Sequence, residues 1–200
     1  MKFAYLALPA FLLTACGNST PPQITQNTCE AVEVVITEGS KKNAFSAFRG
    51  EPVMLGDREL NHRWHANTNA FGDDCRTSII RDMFGTDLYT YHCELYARTG
   101  SLEAEAREAE ARAAIGEVRD LLSSCLGQDW VMKETSEHTD FEIYQKYLFE
   151  PKSGRPGADE FEFTADPIYI EMSYTPFSRG RSGPSGWLAK VQFQEMRKMN

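Results

Sequence analysis

The chain has 200 residues, of which 42% are hydrophobic, and it carries a formal net charge of −8 at pH 7. A chain this acidic is a poor partner for nucleic acid, because phosphate binding is driven by lysine and arginine. The length is enough for one domain with a sizeable core, and no internal repeat or shift in composition marks a second domain.

The first fifteen residues have the organisation of an export signal. Lys2 gives a positive start, and residues 3–13 form an apolar run that only Pro9 interrupts. A membrane-spanning helix needs about twenty apolar residues, so this shorter run indicates a signal peptide over residues 1–15 and not a transmembrane segment.

The signal closes with Leu13, Thr14 and Ala15, followed by Cys16. This stretch resembles the lipobox of bacterial lipoproteins. The resemblance implies cleavage before Cys16, a diacylglycerol on its sulfur and acylation of the new amino group, so that membrane lipid is the partner of Cys16. Gly17 stands where an aspartate would imply retention in the inner membrane, which favours the outer membrane of a Gram-negative bacterium. The alternative is an ordinary signal peptide with a cysteine by chance at this position.

Residues 16–28 are predicted to be the lipidated N-terminus and a flexible tether, because they are polar and contain Pro21 and Pro22. The tether would leave residues 29–200 as a single disulfide-bonded domain held away from the lipid surface. Whether that domain faces the periplasm or the cell exterior stays open.

Four cysteines follow Cys16: Cys29, Cys75, Cys93 and Cys125. An even number in an exported chain favours two disulfides over a zinc site, and the absence of a C-x-x-C pair weakens the zinc alternative further. Three pairings are possible. A hairpin with its turn near Gly85 would place Cys75 opposite Cys93, which leaves Cys29 at the start of one helix to meet Cys125 at the end of another.

The pattern of apolar residues predicts two helices and several strands. Val32, Val35 and Ile36 favour a helix from Cys29 to about Gly39. Further elements are predicted as a hairpin over residues 75–83 and 88–96, a helix over 101–126, and strands over 142–149, 168–174 and 187–193. Residues 51–74 are interpreted as a loop with at most one short strand, and residues 130–134 are a candidate for one more. The predicted fold is α+β, with an antiparallel sheet of about five to six strands and two helices packed on one face.

The second predicted helix has a stripe of small and aliphatic residues expected to face the sheet. The members of this stripe are Leu102, Ala106, Ala109, Ala113, Val118, Leu121, Leu122 and Cys125. Because the first half of the stripe is alanine-rich, this half is expected to lie close against the sheet.

A loop over residues 176–186 is the predicted contact surface. Arg179 and Arg181 lie in it, flanked by the aromatic residues Phe177 and Trp187. Guanidinium groups bind phosphate and carboxylate, so an envelope protein or anionic head groups are the candidate partners. The alternative is that the basic last strand pairs beside the acidic stretch 157–171 and neutralises it.

No catalytic, metal or cofactor motif is recognisable after residue 30, and the four histidines are interpreted as ordinary exposed side chains. The leading hypothesis is a non-enzymatic binding or assembly module of the cell envelope that uses no cofactor or metal. The alternatives are a hydrolase of envelope polymers and an inhibitor or chaperone of an exported protein. A pocket that joins histidine with carboxylates would favour the hydrolase, and a broad exposed apolar patch would favour the binding module.

Overall fold

The computed structural model describes residues 24–100, 104–139, 142–155, 160–161, 163–176 and 185–198. In chain order the elements are α1 (Cys29–Ser40), β1 (Arg49–Leu55), β2 (Arg58–Ala66), β3 (Asp74–Ile80), β4 (Thr86–Thr99), α2 (Ala104–Leu126), β5 (Trp130–His138), β6 (Ile143–Pro151), β7 (Ile168–Thr175) and β8 (Gly186–Lys198). Short 3₁₀ turns precede β1 (Ser46–Phe48) and β5 (Gly127–Asp129).

The strands form one antiparallel sheet in the order β1-β2-β3-β4-β8-β7-β6-β5. The predicted α+β class is correct, but the predicted count of five to six strands is wrong, since the sheet has eight. The error lies mainly in β1 and β2, which fall in the region interpreted as loop. Most of their residues are exposed, so they lack the alternation of buried and exposed side chains that identifies a strand in sequence.

The long strands β4 and β8 pair at the centre of the sheet, from Thr86 opposite Lys198 to Thr99 opposite Gly186. Each is the last strand of a four-stranded meander, and each meander follows one helix and one 3₁₀ turn. The described chain therefore contains the same order of elements twice, and the two halves meet through β4 and β8.

Both helices pack against the same face of the sheet. The hydroxyl of Thr28 caps α1 by accepting a hydrogen bond from the Ala31 amide at 3.2 Å. The next turns of α1 bury Ala31, Val32 and Val35 in the cluster that also holds the inward-facing side chains of β4 and β8.

The buried stripe of α2 differs from the predicted one in its first half. Its fully covered side chains are Ala111, Ile115, Val118 and Leu122. These positions recur at the spacing of one helix face. The alanines at 106, 109 and 113 are exposed instead. Alanine is compatible with either face of a helix, so the alanine-rich half of the sequence did not determine the phase of the stripe.

Tyr91 ties the connection between β2 and β3 to the core. Its side chain is fully buried, and its hydroxyl accepts a hydrogen bond from the Ala70 amide and donates one to the Thr68 carbonyl, both at 2.9 Å. Its ring lies 5.1 Å from that of Phe48 and 6.3 Å from that of Phe193. A buried tyrosine needs such partners for its hydroxyl, so the apolar core and this polar connection fold together.

The structure contains two disulfides, with the pairing expected from the sequence. Cys75 of β3 lies directly opposite Cys93 of β4, and the two cysteines are bonded on the helix-covered face. Cys29, the first residue of α1, is bonded to Cys125 near the end of α2. The first bond staples a hairpin, and the second joins the helices of the two halves.

The described part of the predicted tether packs against the domain. Ile24 contacts the core cluster, the Asn27 amide donates to the Ala70 carbonyl at 3.0 Å, and the Gln26 side chain donates to the Gly72 carbonyl at 3.1 Å. The packed fold therefore begins before Cys29. No helix in the described ranges is both long and apolar enough to cross a membrane.

Replacing Leu122 with Asp is expected to destabilise the protein by several kcal/mol, because the carboxylate would be buried without a partner. Leu122 is fully buried in the interface between α2 and the sheet. Ala113→Asp, at an exposed position of the same helix, is the matched control and should change the free energy of unfolding by less than about 0.5 kcal/mol. Urea unfolding of both variants measures the difference, and equal stability would contradict the packing described here.

Candidate functional site

One face of the sheet is polar and is not covered by the helices. Along β3 and β4, Cys75, Thr77, Tyr91 and Cys93 point toward the helices and the residues between them point away. We call this second face the open face; in β3, β4 and β8 it carries Arg76, Ser78, Thr90, His92, Glu94, Lys190 and Gln192. The strand register sets these side chains beside one another in rows across the sheet.

A cavity of about 380 Å³ lies on the open face, between β2, β3, β4 and β8. One end is apolar and is lined by Val53, Leu60 and Ile80, of which Ile80 is 49% exposed. Toward the other end, strand register places Glu94 between Asp74 and Lys190. The lining is therefore apolar at the Ile80 end and charged around Glu94, with Leu188 beyond Lys190.

Three cations from three strands line this cavity: Arg63, Arg76 and Lys190. Arg76 binds Asp74 through two hydrogen bonds of 3.1 and 2.7 Å, and Lys190 pairs with Glu171 of β7 at 3.0 Å. Arg63 is exposed and makes no ion pair with the residues that the structure describes. The cavity lining thus has three cations against two carboxylates, in a chain whose net charge is −8.

His92 lies in the middle of the cavity, between the Arg76 and Gln192 positions of the neighbouring strands. Burial is the main cause that lowers the pKa of His92 to about 4; the positive charges of Lys190, Arg76 and Arg63 contribute to this shift, and Asp74 opposes it. His92 is therefore neutral near pH 7, and its ring nitrogens are one hydrogen-bond donor and one acceptor.

Glu94 is the cavity carboxylate without an ion pair in the described part of the chain. Burial raises its pKa, and the facing negative charge of Asp74 adds to the effect, while Arg76 opposes it. Asp74 differs from Glu94 because the Arg76 guanidinium holds it in a two-point contact. The two facing carboxylates therefore have unlike environments.

The described residues contain no group of three or more His, Cys, Asp or Glu side chains that is able to hold a metal ion. Beside the Arg76–Asp74 pair and the Glu94 carboxylate, the cavity presents the guanidinium of Arg63, the hydroxyls of Ser78 and Thr90, a neutral imidazole and an apolar wall. These groups suit a ligand that carries an anionic group at one end and hydrocarbon at the other.

Trp187 requires a correction to the predicted contact loop. It lies in β8, faces the helices and is 2% exposed, with its ring 4.9 Å from that of Tyr174. It is a core residue because it occupies an inward position of a central strand, so it cannot contribute to a contact surface. Phe177, Arg179 and Arg181 lie outside the described residues, as does Cys16.

The charge-neutralisation alternative receives direct support from the described ion pairs. β8 lies next to β7, and Lys190 pairs with Glu171 at 3.0 Å. Lys198 pairs with Glu160 at 2.9 Å. Two of the basic residues near the C-terminus therefore balance acidic residues of the stretch 157–171.

Sequence reasoning did not find the cavity. It treated His92 as an ordinary exposed histidine and assigned no role to Arg63, Arg76 or Lys190. The useful signal was the polar side of the alternation in β3, β4 and β8. This signal identifies which residues face outward. It does not show that β4 and β8 are neighbours, because these strands are far apart in the chain.

Comparison of the chain with protein-family models, with curated proteins and with solved structures finds no match.

Replacing His92 with Gln is expected to make stability less dependent on pH between about 6.5 and 4. The unfolded histidine takes up a proton near its ordinary pKa of 6.5, whereas the folded one does so only at about 4. Within this window the unfolded state binds more protons, so wild-type stability falls as the pH falls. The full shift corresponds to about 3 kcal/mol.

Urea unfolding at about pH 7 and about pH 4.5 measures this difference. His65→Gln, at an exposed position of the neighbouring strand β2, is the matched control and is expected to keep the pH dependence of the wild type. If His92→Gln loses as much stability as the wild type on acidification, His92 is not held neutral by the cavity.

Proposed function

We propose that the chain is an exported lipoprotein, anchored by acylated Cys16 in the outer membrane of a Gram-negative bacterium, and that it acts as a non-enzymatic binding module. Its ligand site is the cavity of the open face, and the ligand is a small anionic amphiphile, with a carboxylate or phosphate group and a hydrocarbon part.

The observation that carries the proposal is the polarity of the cavity. An apolar end formed by Val53, Leu60 and Ile80 lies on the same open face as the exposed guanidinium of Arg63, which makes no ion pair with the described residues. Hydrogen bonds to charged groups contribute about 1.5–3 kcal/mol each, and burying each CH₂ group contributes about 0.8 kcal/mol. A ligand with both parts gains from both ends of the cavity.

The position at which the predicted tether joins the domain is compatible with this proposal. Ile24 and Asn27 contact the core and the β2–β3 connection on the helix-covered side of the sheet. The described end of the tether therefore attaches on the side away from the cavity, which leaves the open face accessible at that point.

A hydrolase of envelope polymers is the second candidate, because the cavity joins His92 with Asp74 and Glu94. The geometry supports it less well. A histidine with a pKa of about 4 is a weak base at neutral pH. In addition, no hydrogen bond joins His92 to the Ser78 or Thr90 hydroxyl among the described residues, so a nucleophile–base pair is not formed.

The anchor is tested by replacing Cys16 with Ser in cells labelled with a radioactive fatty acid. We expect the wild type to be labelled and processed, and the variant to remain an unlabelled precursor, because the sulfur that receives the lipid is gone. Ser19→Ala, in the same segment, is the control and should be processed normally. Normal labelling of Cys16→Ser would show that Cys16 is not the acylated residue.

The cavity is tested with dodecanoate as the probe, using a soluble form that begins at Gly17. Arg63→Gln is expected to weaken binding on the order of tenfold, because one charge-assisted hydrogen bond is lost. Arg58→Gln, on the same strand but outside the cavity, is the matched control. Isothermal titration gives the dissociation constants.

Two outcomes would contradict the binding proposal. One is equal binding of dodecanoate by the wild type and Arg63→Gln. The other is equal binding of dodecanoate and the uncharged dodecanol. Turnover of envelope glycan that Glu94→Gln abolishes would favour the hydrolase instead.

A further inference from the structure

The sheet has two edges, β1 and β5, which occupy equivalent places in the two halves of the chain. An edge strand presents unpaired amide and carbonyl groups, which form a template for another strand. The two edges are built differently, and this difference points to a use for one of them.

β1 has the features that discourage strand addition. It contains Pro52, which has no amide hydrogen, and its register with β2 shifts between Arg49 and Pro52 and again between Pro52 and Met54. Prolines and bulges interrupt the row of edge hydrogen bonds, so an incoming strand cannot pair along the whole of β1.

β5 has neither feature. It runs for nine residues without proline, and it pairs with β6 in unbroken register from Trp130–Pro151 to His138–Ile143. After Trp130 each of its residues is exposed, including Val131 at 38% and Met132 at 41%. β5 is therefore a long and regular edge that none of the described residues covers.

We propose that β5 pairs antiparallel with β5 of a second copy of this chain, so that the two eight-stranded sheets continue into one another. The twofold axis lies midway between the Thr135 residues of the two copies. With this axis, Lys133 lies opposite Glu137 of the partner subunit on the open face, and the symmetric pair lies on the other side of the axis. The paired stretch is residues 132–138.

The sequence of β5 favours this register over its neighbours. In an antiparallel pair of strands, facing residues point to the same side of the sheet. A twofold axis normal to the sheet therefore has to lie midway between the two copies of one residue. Moving the axis to Glu134 would set two glutamates opposite each other, which is destabilising. Moving it to Ser136 would shorten the paired stretch to residues 134–138.

Lys133, on the open face of β5, is exposed enough to make this contact. Lys133 pairs with Glu150 of β6 within its own chain, but 61% of its side chain remains exposed. In the proposed dimer, it also approaches the carboxylate of Glu137 of the partner subunit. Charges at a strand edge then select one partner and one register.

The test is cross-linking of full-length Thr135→Cys in membranes with a short bis-maleimide. On the axis, residue 135 of each copy faces its counterpart, so we expect a cross-linked dimer. Asp57→Cys, exposed in the β1–β2 turn at the other edge, is the matched control and should remain monomeric. Equal cross-linking of the two variants would overturn the proposal.

A charge exchange in the Thr135→Cys background tests the register. Lys133→Glu is expected to reduce the dimer yield at least tenfold, and adding Glu137→Lys is expected to restore it, because the pair is then reversed. Melting temperatures show whether each variant is folded. An unchanged yield with Lys133→Glu, or no recovery in the folded double variant, would refute this pairing. A product of another mass in place of the dimer would assign the edge to a different protein.

Discussion

The antiparallel pairing of β4 with β8 is the constraint on which the rest of the structure depends. It runs the full length of β4, and among the described residues it is the strand pairing that joins the two meanders. The pairing imposes a strict requirement at Gly186, where a Cβ atom would lie 2.1 Å from the Arg98 carbonyl oxygen and φ is +121°. Only glycine satisfies both conditions, so β8 can start beside Thr99 only with glycine at this position.

The same pairing produces both the core and the cavity. On the helix side it sets Tyr91 beside Phe193, in the apolar cluster. On the open face it sets His92 beside Gln192 and Glu94 beside Lys190. Because successive residues of a strand alternate between faces, one register fixes both sets of neighbours. A slip of one residue would remove the core and the cavity together.

The sequence predicts the elements whose residues have two clearly different faces. The hairpin of β3 and β4, the helices and strands β7 and β8 follow from such patterns, and so does the pairing of Cys75 with Cys93. β6 was predicted instead from a run that is apolar on both faces. β1 and β2 could not be found, because most of their residues are exposed and their few half-buried residues give no clear alternation. The cavity was not predictable either, since Arg63 and Lys190 become neighbours only through contacts between strands that are distant in the chain. The repeated order of elements is likewise visible only in the structure.

The disulfide between Cys29 and Cys125 has a mechanical consequence. It closes residues 29–125 into a covalent loop that contains α1, all four strands of the first meander and α2. Once the hydrogen bonds of Gln26 and Asn27 to the β2–β3 connection are broken, a pull on the chain before Cys29 is transmitted through the disulfide to the end of α2, next to the second meander. The force therefore does not pass through the first meander, and its strands cannot be pulled from the sheet one after another. Force applied at the N-terminus acts on the second half of the molecule, although the first half is nearer in the chain.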